Sequence, residues 1–185
     1  MTLPAAAFPD FSLSPAGAPP QRGNPKNKET MDDKQLLRRA IALSVANVAE
    51  GGGPFGAVIA RDGEIVAEGV NRVTALHDPT AHAEVQAIRA AATRLGSFDL
   101  SGCVIYSSCE PCPMCLSAIY WARLSRLVYA GTKSDAARAG FDDAFIYKEL
   151  SLPPSERRLA SSECLNAEAL AAFDAWREKT DKMEY

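Results

Sequence analysis

Two short motifs constrain this chain more than any other feature. They are His82-Ala83-Glu84 and, 30 residues on from His82, Pro111-Cys112-Pro113-Met114-Cys115. Zinc takes four tetrahedral ligands drawn largely from imidazole and thiolate, and His82, Cys112 and Cys115 supply three of them. Any fold this chain adopts has to bring the two segments to one point. Three protein ligands leave the fourth position to water, the pattern of a catalytic ion, whereas structural sites are closed by four. A CxxC pair also serves as half of a structural zinc site or as a redox dithiol. Those readings stay open, with His77 and Cys109 as the nearby residues able to close the site.

The residue types suit hydrolytic chemistry. Cys112 and Cys115 stand three apart, so on a helix they share a face and can hold one ion. His82 and Cys112 each fall at an expected helix start, where free N–H groups and the helix dipole favour thiolate over thiol. One neutral imidazole and two thiolates cancel the charge of the ion, so a bound water needs a base. Glu84, in the first turn of the same helix as His82, is placed to be that base and proton carrier. The plainer account of Glu84 is a carboxylate paired with the helix dipole.

At 185 residues the chain has the size of one domain with a core of its own. Its net charge of −3 and pI near 5.5 argue against a nucleic-acid partner, which needs a basic stripe. Arg38-Arg39 and Arg157-Arg158 are short solvated patches. No apolar run approaches the ~20 residues of a membrane-spanning helix. Five cysteines, two of them in the metal motif, point to a reducing, cytoplasmic compartment. Cys103 and Cys164 read as small buried hydrophobes. Residues 1–30 carry Pro4, Pro9, Pro15, Pro19, Pro20 and Pro25 among Ala, Ser and Gly. They read as a flexible extension without the basic start and apolar core of a secretory signal.

Residues 31–185 read as the folded domain. Thr30-Met31-Asp32-Asp33 resembles a capping box, opening a helix with Leu37, Ile41 and Val48 on one face and ending before Gly51-Gly52-Gly53. Strands are expected over 55–60 and 64–70, joined by the Asp62-Gly63 turn signal. A loop over 71–80 leads into a helix starting at Thr80, with Ala81, Val85, Ile88, Ala92 and Leu95 on one face. A buried strand follows over 103–107. Pro111 is placed to begin a helix running to about Leu124, ahead of a strand over 127–130. A short helix around 134–139, a loop over 140–143, a break at Pro153-Pro154 and a last helix over 166–179 complete the chain. Strand–helix alternation after an initial hairpin gives an α/β sandwich.

H-x-E followed by P-C-x-x-C is the signature of zinc-dependent base deaminases. The resemblance narrows over Gly53-Pro54-Phe55-Gly56-Ala57-Val58, Asp78-Pro79-Thr80-Ala81-His82-Ala83-Glu84, Gly140-Phe141-Asp142-Asp143 and Lys182-Met183-Glu184-Tyr185. Together these segments resemble the purine-deaminating branch of the cytidine-deaminase-like enzymes, the bacterial guanine deaminases in particular. The resemblance implies a three-layer α/β/α fold with a mixed sheet of about five strands. It implies one zinc per chain on His82, Cys112 and Cys115, with hydrolysis of guanine to xanthine and ammonia. It assigns proton transfer to Glu84 and Asp143, and the purine pocket to Phe55, Asn71, Ala83, Asp143 and Tyr185. It further implies a homodimer whose C-terminal segments are exchanged, so that Tyr185 completes the partner's site. On the residues alone, Asp143 reads equally as a loop or helix cap, Asn71 as a turn residue, Phe55 as core and Tyr185 as a frayed end. Guanosine or tRNA adenosine deamination, and a zinc-stabilised binding module with no activity, are the rival functions.

Overall fold

The computed structural model describes residues 30–184. In chain order they form α1 (Asp33–Ala49), β1 (Gly56–Arg61), β2 (Glu64–Val70), the single-turn α2 (Val73–Leu76), α3 (Ala83–Leu95), β3 (Val104–Cys109), α4 (Pro113–Trp121), β4 (Arg126–Gly131), α5 (Lys133–Arg138), α6 (Ala144–Ser151), a 3-10 turn (Pro154–Glu156) and α7 (Asn166–Glu178). The extension expected over 1–30 lies outside the described residues except for Thr30.

Local chemistry sets where each element begins. The capping box of α1 is Asp32 with Gln35, each side chain accepting from the other residue's backbone N–H at 2.7 and 2.8 Å. It does not start at Thr30, because Met31 N–H donates to the Gly63 carbonyl and holds that segment on the hairpin. The hairpin turn has positive φ at both Asp62 and Gly63, the requirement of the two-residue turn that matches strand twist. Arg61 pairs with Glu64 across it.

Asp78 accepts from both Thr80 N–H and Thr80 Oγ1. That local turn keeps the chain out of helix until His82, so α3 starts later than the expected Thr80. Likewise α4 starts at Pro113 rather than Pro111. Cys112, as the residue before a proline, is confined to extended backbone (φ −65°, ψ 168°). A left-handed Arg123 stops that helix short of Leu124.

The sheet runs β2-β1-β3-β4, with β1 antiparallel to both β2 and β3, and β3 parallel to β4. It is mixed, but it holds four strands among the described residues instead of about five. After β4 the chain carries helical rather than alternating patterns, broken at Gly140 and Pro153-Pro154, and forms α5, α6 and α7.

Alternation along β1 and β3 splits the core in two. Ala57, Ile59 and Ile105 face Ala83, Ala87 and Ala91 of α3 and Ile119 of α4. Val58, Ala60 and Tyr106 face Leu36 and Ala40 of α1. Helices therefore cover both faces, giving the expected three layers. Small residues let α3 sit close to the sheet. A Cβ on Gly69 of β2 would lie 2.2 Å from the Ala83 carbonyl oxygen. Among the described residues, no helix is long and apolar enough to cross a membrane.

Candidate metal centre and active site

The starts of α3 and α4 meet at one end of the sheet. His82 is the N-cap residue of α3 and Cys112 that of α4, and neither side chain caps its own helix. Both are left free to face each other. His82 Nδ1 lies 3.6 Å from Cys112 Sγ and 3.5 Å from Cys115 Sγ, and one ligand atom from each residue lies within 4.8 Å of the others. Ligands at ordinary zinc–nitrogen and zinc–sulfur bond lengths on a tetrahedron stand about 3.3–3.8 Å apart. Both distances from His82 therefore match a tetrahedral zinc.

The protonation of the trio makes the same point. The Cys112 thiol is pushed down to about 4, first by the Cys115 S–H donated to it and also by His82. Cys115 is pushed up, first because its proton is held by Cys112 and then by burial. His82 is raised, chiefly by its hydrogen bond to Cys112. Protons thus hold together a donor set from which a metal displaces them. Among the described residues no fourth ligand joins the group. Cys109 donates to the Thr132 carbonyl, and His77 sits in a left-handed C-cap at the end of α2. None of the five cysteines is paired in a disulfide.

Glu84 lies in the first turn of α3, only 5 % exposed. Burial pushes its carboxyl above the usual range, and Ser107 Oγ donates to it from β3 at 3.2 Å. A cavity of about 570 Å³ opens over these groups, with Phe55, Asn71, Lys133 and Asp143 also in its walls. That volume is ordinary for a small-molecule site.

Asp143 precedes α6 without capping it. Asp142 takes that part, accepting from Ala144 N–H at 2.9 Å. The capping account thus belongs to Asp142, and the Asp143 carboxyl, raised by burial, is left to the cavity. Asn71 is buried. Its Oδ1 accepts from Val73 N–H at 3.3 Å, and among the described residues its side-chain amide N–H groups have no protein partner. Phe55 stands at the cavity wall with the Phe141 ring edge-on at 5.0 Å. Ala83 belongs to the core beneath and does not line the cavity. Tyr185 lies outside the described residues.

Among the wall residues not assigned a role from sequence are Phe141, Glu110 and Lys133. Phe141 had a signal, its place beside Asp142-Asp143. Glu110 and Lys133 had none, being ordinary charges, one after a strand and one opening a short helix. Glu110 accepts from Lys133 N–H, and Lys133 Nζ lies 4.8 Å from the centre of the Tyr147 ring.

Residues 30–131 match the cytidine and deoxycytidylate deaminase zinc-binding region. The chain belongs to this deaminase family. Within it, guanine deaminase of Bacillus subtilis is 53% identical over 156 residues, covering 84% of this chain and 100% of its own. The crystal structure of that enzyme superposes with a TM-score of 0.82 over 84% of this deaminase and 99% of its own chain. Guanine deaminase from Nitrosomonas europaea is 33% identical with a TM-score of 0.59, over 61% of this deaminase and 66% of its own chain. A tRNA-specific adenosine deaminase of Aquifex aeolicus is 37% identical over 100 residues, 54% of this deaminase and 66% of its own length.

Proposed function

We propose that this deaminase hydrolyses guanine to xanthine and ammonia, with one zinc per chain held by His82, Cys112 and Cys115. The observation that carries the reading is the meeting of two differently placed carboxylates, Glu84 and Asp143, in one cavity with His82 and Cys112, which Cys115 joins from beneath in the ligand trio. The free-base substrate follows from the match to Bacillus subtilis guanine deaminase along the whole of that enzyme.

When bound, zinc supplies the Lewis acidity that makes water a nucleophile near neutral pH. Glu84 takes a proton from the attacking water and delivers it to the ring nitrogen of the amidine. Burial pushes its carboxyl above the usual range, the direction that helps it hold the proton it takes. A new C–O bond forms at the amino-bearing carbon, the C–N bond breaks, and ammonia leaves with a proton returned by a carboxyl group. Guanine presents N1–H and the 2-amino group as neighbouring donors, and the two oxygens of Asp143 accept from such a pair. Its burial disfavours an unpartnered charge and so favours a donor-rich base. The free amide N–H of Asn71 suits an acceptor on the purine, and Phe55 offers its ring as a wall to the base.

Exchange of C-terminal segments in a homodimer belongs to the same proposal. Residues 131–184 include no buried side chain in the single chain, although α7 carries Leu170, Phe173 and Trp176. An apolar surface of that kind marks an interaction face. The cavity walls include no residue beyond Asp143, while Glu184 lies by Trp121 at a separate cleft. Among the described residues the tail adds no wall to its own chain's cavity, and Tyr185 is assigned to a partner's. Unpaired cysteines suit a reducing cytoplasm.

The test is ammonia release with guanine, guanosine, adenine, cytosine and a tRNA anticodon stem side by side, with zinc measured on the same sample. Guanine is expected to give the highest kcat/KM, and Asp143→Ala to abolish its turnover. Faster turnover of guanosine would move the substrate while leaving the chemistry. Binding of zinc without deamination of any of the five would leave only a binding module.

A further inference from the structure

Asn47 closes the last full turn of α1, on the far side of the sheet from α3, and is only 2 % exposed. A polar side chain at that depth has to find partners. Asn47 Nδ2 donates both of its protons, one to the Gly53 carbonyl at 2.8 Å and one to the Asn71 carbonyl at 2.9 Å. Its backbone carbonyl accepts from Gly52 N–H at 2.8 Å. Its Oδ1 has no partner among the described residues. Turning the amide over would set that oxygen against two carbonyl oxygens, so the orientation is fixed by its neighbours. A buried acceptor left unsatisfied costs about 1–3 kcal/mol, and the chain carries that cost where two cavity segments meet.

Those segments are also tied to each other. Phe55 N–H donates to Gly53 O, and Asn71 N–H donates to Phe55 O at 3.1 Å. The lip at Gly53, the ring of Phe55 and the amide of Asn71 therefore form one unit, and the Asn47 side chain joins its two ends. The glycines of the lip are packed onto this joint. A Cβ on Gly52 would fall 2.3 Å from Asn47 Nδ2, and one on Gly53 would fall 3.1 Å from Asn71 Cγ.

We propose that Asn47 is a positioning residue for the purine pocket, setting the height of the Asn71 amide and the Phe55 ring over the cavity by clamping the Gly53 and Asn71 carbonyls. The proposal rests on the guanine deaminase reading above. It places the effect in substrate binding, because Asn47 touches neither the ligand trio nor Glu84.

The test is steady-state kinetics of Asn47→Ala and Asn47→Ser on the zinc-loaded full chain, alone and combined with Asn71→Ala, with Tm and zinc content alongside. For Asn47→Ala the KM for the best purine is expected to rise about tenfold, with kcat per bound zinc changed less than about threefold. Asn47→Ser keeps one donor and fills less space, and is expected between the two. In the Asn71→Ala background the KM effect of Asn47→Ala is expected to shrink to the part carried by Phe55, since one of the two groups being positioned is gone. Unchanged KM in a folded Asn47 variant, whatever its Tm, overturns the proposal, as does full additivity with Asn71→Ala. If Asn47→Ala does not fold, the same two criteria apply to Asn47→Ser. Wild-type turnover of guanine, measured in the same series, reports separately on the functional reading. Should another purine be the substrate, the KM comparison is made with that one.

Discussion

Gly69→Ala tests how tightly the sheet sets the catalytic helix. Gly69 pairs with Ala57, one position in from the end of the β1–β2 ladder away from the hairpin turn, and α3 crosses directly above it. An alanine Cβ there would lie 2.2 Å from Ala83 O and 2.5 Å from Ala87 N. Both are backbone atoms in the first turns of α3, so no side chain can swing aside. Ordinary contact needs about 1 Å more, and the strand is pinned by its hydrogen bonds, so α3 must retreat by about that much. Overpacking of this kind costs about 1–3 kcal/mol. In a domain of this size that is a fall in Tm of about 2–12 °C, well short of unfolding a protein of ordinary stability. The same shift moves His82 and Glu84 against Cys112, Cys115 and Asp143. A displacement of about 1 Å in a catalytic constellation costs about 10²-fold in rate. Xanthine formation by absorbance, with Tm and zinc content, measures both effects. Gly131→Ala is the control, because its nearest neighbour, Ser108 O, would stand at an ordinary 3.4 Å. A Gly69→Ala protein with wild-type Tm refutes the packing argument. A lowered Tm with kcat/KM within threefold of wild type refutes its coupling to the site.

Three further outcomes are expected. Glu84→Gln keeps the size of the side chain and the Ser107 contact but carries no proton, so kcat should fall by about 10²–10⁴ with zinc still bound; a third of wild-type kcat would remove Glu84 from its role. Asp33 at the start of α1 is held down to about 2, first by Arg126 and then by the Tyr106 hydroxyl that donates to it. A depressed carboxyl stabilises the fold above its unfolded pKa and loses that contribution as pH falls through its folded one. The Tm difference between wild type and Asp33→Asn should therefore hold above about pH 4 and shrink towards about pH 2; a difference that grows on acidification would reverse the sign. Deleting Lys182–Tyr185 should lower activity strongly while zinc and core remain, and mixing the truncated chain with Glu84→Gln chains should restore turnover after subunit exchange; unchanged kcat/KM in the truncated enzyme would make Tyr185 a loose end.

The metal trio was legible because its chemistry is local. Spacing of three puts two thiols on one helical face, and both helix starts were marked by proline and by Asp78-Pro79-Thr80. What sequence misplaced were the starts themselves, by two or three residues. Two prolines competed for the first position of α4, and the backbone restriction on Cys112 chose Pro113. Thr80 was spent on Asp78 rather than on the helix. Asn47 was invisible for a different reason. It sits on a helix whose stripe reads as ordinary amphipathic packing, and its partners are carbonyls 6 and 24 residues away. A backbone carbonyl leaves no trace in composition, so no pattern search can find a side chain whose work is to hold two of them.

The C-terminal third shows where local rules stop altogether. Its helices were partly foreseen, since periodicity and proline breaks act within a few residues. The fifth strand was carried over from the family rather than seen in the chain, and the helical pattern of 144–151 went against it. What periodicity cannot state is the surface on which an apolar helix face is spent. Leu170, Phe173 and Trp176 would bear the same pattern whether they packed on their own domain or on a second copy. In the isolated chain they remain exposed together with Tyr120 of α4, while the cavity over Glu84 is walled by the chain only as far as Asp143. The proposed exchange would account for both facts, because it would cover the apolar faces and bring a partner's tail to the site. The proposed exchange would make activity depend on association while zinc binding would not. Dilution below the dimer dissociation constant should then remove turnover and leave the metal in place, whereas a monomer active at every concentration would leave the exposed helices without that explanation.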